Sequence, residues 1–335
     1  MTRPVLSVCD LAVSFRVRQG MVNAVRGVSL DVMPGETLAI VGESGCGKSV
    51  TLRTVMGLLP EHAEVLSGDI RFEEECVLQQ TDAERNRWRG SRMSMIFQDP
   101  LSAMNPTMRI GDQIAEPLRV HRGLSKAQAN AKAVDLLEHV GVRDAALRAR
   151  QYPNAFSGGM LQRAMIAMAL ACEPKLLVAD EPTTALDVTV QVQVLSLMKQ
   201  LQRDSGMAIV LITHDLGIVA SMADRVAVMY AGAIVEYGSV EQVFQRPSHP
   251  YTRALRSALP GMHAGASHLP SIAGQPPDLR RDIQGCAFAP RCGFAMQACH
   301  RQAPPVIAMS EQHSSACWLQ DAACEAGRQF RDGGL

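Results

Sequence analysis

The stretch that most constrains this chain is "IVGESGCGKSV", residues 40–50, which places three glycines and a lysine directly after an apolar run. The spacing predicts a strand over Thr37–Val41, a glycine turn, and a helix running from Ser49 through Met56. Gly42, Gly47, Lys48 and Ser49 satisfy G-x-x-x-x-G-K-[ST] in the strand–loop–helix setting that gives the pattern meaning. Residues without a Cβ let the backbone curl so that successive N–H groups of Gly42, Glu43, Ser44, Gly45, Cys46, Gly47, Lys48, Ser49 and Val50 point inward at a phosphate. The helix that follows adds the positive end of its dipole. Lys48 is then expected to reach the β- and γ-phosphates of a nucleotide, and Ser49 to ligate Mg²⁺. Cys46, beside Lys48 and a helix start, is expected to have a lowered pKa and to be alkylated unless nucleotide protects it.

The remaining bulk properties narrow the class. At 335 residues the chain can form one large domain and a smaller one. Lys+Arg and Asp+Glu balance at 33 each, so no net field argues for nucleic acid or an anionic membrane surface. The longest apolar run, Ala164–Cys172, is nine residues, far short of the ~20 a spanning helix needs. The N-terminus lacks the apolar core of a secretory signal, which makes a cytosolic chain the expectation unless a partner holds it at a membrane. Cys286, Cys292, Cys299, Cys317 and Cys324 crowd the end of the chain, and in a reducing cytosol such density favours a metal site over disulfides.

Short alternating runs over residues 5–41 predict an antiparallel region leading into the phosphate-loop strand. Residues 108–150 show helical spacing, with Ala133, Leu136, Leu137 and Val140 sharing a face. Then apolar strands alternate with helices: "LLVAD" (176–180), a helix over 188–206, "AIVLITHD" (208–215) and "VAVMYAG" (226–232). That alternation predicts an α/β fold around a parallel sheet covered on both faces. Beyond Pro260 the pattern gives way to proline-, glycine- and cysteine-rich sequence, so a domain boundary is expected there.

Two further segments elaborate the nucleotide site. "LLVADE" ends a buried strand in two carboxylates, placing Asp180 toward Mg²⁺ and Glu181 toward an attacking water. "FSGGMLQRAMIAMALA" (156–171) opens an apolar helix with Ser157, Gly158 and Gly159, a second phosphate-binding helix end. Two such ends in one chain make sense if two ATPase domains pair head to tail and each closes the other's site.

On these motifs the chain resembles the ATP-binding subunits of ABC transporters, over about residues 5–260. The resemblance implies a P-loop NTPase fold of the ABC type: a mixed or parallel sheet core, an antiparallel β subdomain, and a helical subdomain over about 100–160. It implies further roles residue by residue. Phe15 stacks on adenine; Gln98, in "MIFQDPLSAMNP", senses Mg²⁺ and the membrane partner; Ser157, Gly158 and Gly159 act in trans; Asp187, in "TTALD", is the D-loop residue; His214, in "LITHD", contacts the γ-phosphate. Met160 stands where the signature usually has Gln, and it cannot offer that amide's hydrogen bonds.

The stretch "RPSHPYTRALRSALP" (246–260) and the cysteines after it resemble the dipeptide, oligopeptide and nickel branch of ABC importers. Cys286, Cys292, Cys299 and Cys317 are separated by five, six and seventeen residues, wider than the paired spacing of structural zinc. The resemblance implies that they hold a 4Fe–4S cluster in a small extension over 261–335; a Cys₄ zinc site or unligated thiols are the alternatives, and Cys324 is read as a spare in a solvated tail over 320–335. Implied partners are two transmembrane permease subunits, a related but non-identical second ATPase subunit and, indirectly, an extracytoplasmic substrate-binding protein, with no nucleic acid. The implied location is the cytoplasmic face of the membrane. The competing reading, a soluble ABC-type ATPase working on DNA or ribosomes, fits poorly with one phosphate loop, no heptad stretch and no basic surplus.

Overall fold

The computed structural model describes residues 3–18, 20–183, 186–258 and 272–332; the boundary expected near Pro260 lies outside them. The chain divides into two compact units, each interleaved in sequence. The first takes Met1–Leu6, Asp31–Thr37 and Arg71–Ile212; the second takes Ser7–Leu30, Leu38–Ile70 and Thr213–Leu335.

In the first unit, strands Met93–Ile96, Leu176–Asp180 and Ala208–Ile212 form a parallel ladder, with Ile96 opposite Ala179 and Asp180 opposite Ile212. Every residue of the three strands is buried. Near-continuous apolar runs of this kind mark strands covered on both sheet faces. The helices Ile110–Arg122, Lys126–His139 and Gly158–Leu170 pack on one another. Ala133, Leu137 and Val140 are buried on the expected face, whereas Leu136 is only half-buried. The Lys126–His139 helix starts with a capping box, Ser125 with Gln128. The Val188–Ser205 helix ends at Gly206 in the left-handed conformation.

In the second unit, strands Leu6–Val17, Gly20–Val32 and Ala63–Phe72 lie side by side with Leu6–Val17 in the middle. The Thr37–Val41 strand runs parallel to Arg225–Tyr230, Leu38 opposite Arg225 and Val41 opposite Val228. Ala233–Ser239 pairs antiparallel with Arg225–Tyr230, and His313–Ala316 and Val306–Ser310 extend that pairing outward. The cysteine-rich end of the chain therefore adds two strands to the sheet that carries the phosphate-loop strand. A buried carboxylate locks the join. Glu236 accepts hydrogen bonds from the backbone N–H groups of Ser248 (2.7 Å) and His249 (2.9 Å), and its Oε1 lies 2.9 Å from His313 Nε2.

Over the described residues 320–332 the end of the chain is not a solvated tail, and Cys324 is not a loose thiol. Glu325–Asp332 is a helix whose Phe330 is buried, its ring T-shaped against Phe294 at 5.0 Å. Cys324 Sγ lies 3.6 Å from Met296 Sδ. The aromatic side chain, spaced six residues beyond the last cysteine, supplies the apolar anchor that the polar composition concealed.

Candidate functional site

The phosphate loop forms as its glycines require. Gly42 (φ 153°) sits where a Cβ would come 2.1 Å from the Met229 carbonyl oxygen, and Gly47 (φ 102°) where one would come 2.3 Å from that of Ala24. No L side chain fits either place. The helix that follows, Lys48–Val55, starts at Gly47, left-handed at φ 102°, with no side chain capping it. Ser44 and Gly45 are exposed at the loop tip, and Ser49 and Val50 are half-buried in the first helical turn. Lys48 is buried and folds back over the loop, donating to the carbonyl oxygens of Gly42 (2.8 Å) and Glu43 (2.9 Å).

Two residues that sequence reasoning missed hold this loop from the C-terminal side. Tyr251 Oη accepts the Glu43 N–H at 2.9 Å. Arg291 grips the Glu43 carboxylate with both arms, Nη1 to Oε2 at 2.7 Å and Nη2 to Oε1 at 2.9 Å. The fork is held from behind by Tyr230 Oη and by the carbonyl oxygens of Ile272 and Ala273. Pro250, at the first position of its helix, was a legible signal for a helix start near Tyr251. Arg291 carried none.

Cys46 overturns the reactivity expected of it. Its side chain is buried, and burial raises the pKa by more than the Lys48 ammonium, 3.6 Å away, lowers it. The local rule of helix start plus cation assumes a thiol that water can reach, and here it cannot.

In the first unit, Asp180 is buried at the end of its strand. Glu181 follows in the left-handed region at φ 48°, a conformation rare for a non-glycine residue and held by the Glu181 N–H to the Ile212 carbonyl at 3.0 Å. Gln98 Nε2 donates to Glu181 Oε2 at 3.0 Å, so two residues assigned separately from sequence meet. Gln162, also missed, is buried, and its Nε2 donates to the Pro182 carbonyl at 2.5 Å, tying the Gly158–Leu170 helix to the turn after Glu181. Ser157 caps that helix through the Met160 N–H (3.4 Å), and Ser157 and Gly158 are exposed. Position 160 thus contributes its backbone to the cap whatever its side chain, which accommodates methionine. Asp187 is exposed and caps the Val188–Ser205 helix through the Val190 N–H at 3.0 Å.

His214, in the second unit, is exposed between Thr213 and Asp215, whose backbone N–H bonds the Thr213 hydroxyl at 3.0 Å while its carboxylate caps the next helix. Phe15 is half-buried against the His62 ring, centroids 5.6 Å apart.

Cys286, Cys292, Cys299 and Cys317 line one pocket, with His249, Phe288, Phe294 and Leu319 among its walls. Burial pushes the thiols of Cys286 and Cys292 up and that of Cys317 up to about 12, the neighbouring sulfurs adding to the effect. Among the described residues no three His, Cys, Asp or Glu side chains are grouped tightly enough to hold a single metal ion. No helix among them is long and apolar enough to cross a membrane.

Comparison with known proteins agrees with this geometry. Residues 25–184 match the family described as ABC transporter, and residues 235–299 match the oligopeptide/dipeptide transporter C-terminal region. The chain is 51% identical over 322 residues to the dipeptide transport ATP-binding protein DppD of Bacillus subtilis, covering 96% of each. It is 50% identical over 316 residues to the oligopeptide transport ATP-binding protein OppD of the same organism, covering 94% of this chain and 88% of that one. Among solved structures, the dimeric post-hydrolysis state of the ATP-binding cassette MJ0796 bound to ADP and Pi superposes with a TM-score of 0.64 at 25% identity, over 70% of this chain and 98% of that one.

Proposed function

The chain belongs to the ABC transporter family, with the C-terminal region of its oligopeptide and dipeptide branch, and on that premise we propose that it is the ATP-hydrolysing subunit that energises a binding-protein-dependent importer of di- or oligopeptides. The observation that carries the reading is the pairing, on one chain, of a complete phosphate loop with a second glycine-opened helix end that stands exposed at Ser157 and Gly158. The first grasps a nucleotide; the second is free to be offered to another subunit's.

The chain's own groups divide the work. The N–H groups from Gly42 to Val50 cradle the phosphates. Lys48 exchanges the carbonyls of Gly42 and Glu43 for β- and γ-phosphate oxygens. Ser49 and Asp180 would hold Mg²⁺, which would neutralise charge on the phosphates. Glu181 orients the attacking water and takes its proton, with the carboxylate aimed by the Gln98 amide. His214 contacts the γ-phosphate, Phe15 the adenine. Ser157, Gly158 and Gly159 complete the site of a paired ATPase subunit, and Asp187, beside the exposed Val188 and Val192, lies on the pairing surface. Nucleotide-driven closure of the pair then works permease subunits, because ATP binds the closed state better than the open one. A cassette over 5–260 and an extension over 261–335, peripheral at the cytoplasmic face of the membrane, describe the layout.

We read the four cysteines that line this one pocket as the residues that would hold a 4Fe–4S group as thiolates, with a Cys₄ zinc site as the alternative. Anaerobically purified protein should be brown, with iron and sulfide near four per chain as that core requires; zinc alone would overturn the assignment.

The function itself is tested with Glu181→Gln. That variant should bind ATP and accumulate as a closed ATPase pair, with hydrolysis and peptide uptake in vesicles carrying the permeases largely lost. Turnover like the parent's would remove Glu181 from the proton-accepting role, and co-purification with nucleic acid in place of permeases would replace the transport reading.

A further inference from the structure

His249 is buried to 1% exposure at the N-terminus of the Pro250–Ser257 helix. Three contacts fix it. Its backbone N–H is held by Glu236 Oε2 at 2.9 Å, its Nδ1 accepts the Tyr251 N–H at 3.0 Å, and its ring lies 5.9 Å from that of Phe288. The cap decides the tautomer. With Nδ1 accepting, the proton of the neutral ring sits on Nε2. Yet Nε2 is buried with no hydrogen-bond partner among the described residues. A buried donor left without an acceptor is costly, and such groups mark where something is missing. The same ring lines the pocket formed by Cys286, Cys292, Cys299 and Cys317. As buried, protonated thiols these offer little to an N–H. As thiolates around bridging sulfides they are a dense set of acceptors.

We propose that His249 donates its Nε2–H to a sulfur of the iron–sulfur group held by these four cysteines, as a positioning residue and not as an iron ligand. The proposal rests on the cluster reading given above. N–H bonds to sulfur favour the more negative, reduced form of a cluster, so His249 raises its reduction potential.

The informative variant is His249→Asn, made in the full chain and purified anaerobically. Asparagine keeps an acceptor for the Tyr251 N–H, being a good helix cap, but its amide is too short to serve as the pocket donor. Iron and sulfide should stay at the parent's level. The potential should move to a more negative value, and the deuterium-sensitive shift of the Fe–S stretching bands in resonance Raman should disappear. His249→Gln, which restores an N–H near the Nε2 position, should recover part of the shift. In the parent protein with ¹⁵N-labelled histidine, pulsed EPR of the reduced cluster should show a weak nitrogen coupling. A fully loaded Asn variant with unchanged potential and Raman shift overturns the proposal, and so does a labelled parent with no histidine coupling or with the strong coupling of a ligated nitrogen. Protein without iron at all would instead sink the cluster reading. Because the labelling experiment uses the parent protein, a poorly folding variant does not spare the proposal.

Discussion

The grip of Arg291 on Glu43 makes a prediction that can be worked from the structure. The guanidinium is 4% exposed and the carboxylate 25% exposed, and the fork is bidentate. Replacing Arg291 with Met keeps much of the volume but leaves the Glu43 carboxylate alone in the phosphate loop. Removing one partner of a fully buried pair costs about 3–5 kcal/mol; water reaches part of Glu43, so about 2–3 kcal/mol of local stability is the expected loss. The charge itself also acts on the ligand. At a separation of about 10 Å and an effective dielectric near 40, an uncompensated carboxylate repels each unit of phosphate charge by roughly 0.8 kcal/mol, so Mg-bound ATP, with a net charge of about −2, should bind weaker by about 1.6 kcal/mol, or just over tenfold. Titration with a fluorescent ATP analogue at fixed ionic strength reads this directly. Arg291→Met should bind weakly, and Arg291→Met combined with Glu43→Gln should regain most of the loss, because the offending charge is gone. If the double variant is as weak as the single one, Arg291 acts only through packing; if the single variant binds like the parent, the Coulomb argument fails outright.

Cys46 should resist iodoacetamide near neutral pH with or without ATP, while the exposed Cys9 reacts; its raised pKa means the thiolate forms only above the ordinary thiol range, so its labelling rate should climb late in a pH series, and rapid ATP-blocked labelling at neutral pH would contradict the burial seen here. Gln162→Leu should leave the Pro182 carbonyl without its donor, at a cost of about 1–3 kcal/mol in the turn after Glu181; kcat should fall several-fold with ATP affinity retained, as single-turnover and binding measurements can separate. Phe330→Ala should cost about 3 kcal/mol at the C-terminal helix, since the ring also lies under the Arg253 guanidinium; hydrogen exchange over Glu325–Asp332 should rise while the phosphate loop keeps its protection.

What the sequence makes legible follows from how local the cause is. The strands Leu176–Asp180 and Ala208–Ile212 fall where the apolar runs put them, because a doubly covered parallel strand has nothing but apolar residues to show. The phosphate loop is equally plain, since two of its glycines answer steric demands visible as spacing. Gln98 and Glu181 could be assigned singly by resemblance, but their meeting at 3.0 Å is a tertiary fact. The strands Val306–Ser310 and His313–Ala316 left little trace. Val306–Ser310 is mostly exposed, and the partner strand is fixed by a buried Glu236–His313 contact that no periodicity announces. The pKa of Cys46 was misjudged for the same reason: neighbours in sequence foretold a lowered value, and burial, set by residues far away, raised it.

The same logic explains why the cysteine-rich end is not an ornament on the cassette. The phosphate loop meets the extension through Arg291, which belongs to a tight turn between two of the pocket cysteines: the Ala289 N–H bonds the Cys286 carbonyl and the Arg291 N–H bonds the Phe288 carbonyl. Phe288 stands edge-on to Tyr230 at 5.3 Å and 5.4 Å from Tyr251, the residue that takes the Glu43 N–H. Whatever fixes Cys286 and Cys292 therefore fixes the turn, the turn aims the guanidinium, and the guanidinium sets the charge and the geometry of the loop that must receive a polyphosphate. The turn itself is packed: Phe288 is buried in the core around Tyr230 and Tyr251, and Cys286, Ala287 and Cys292 lie half-buried against it.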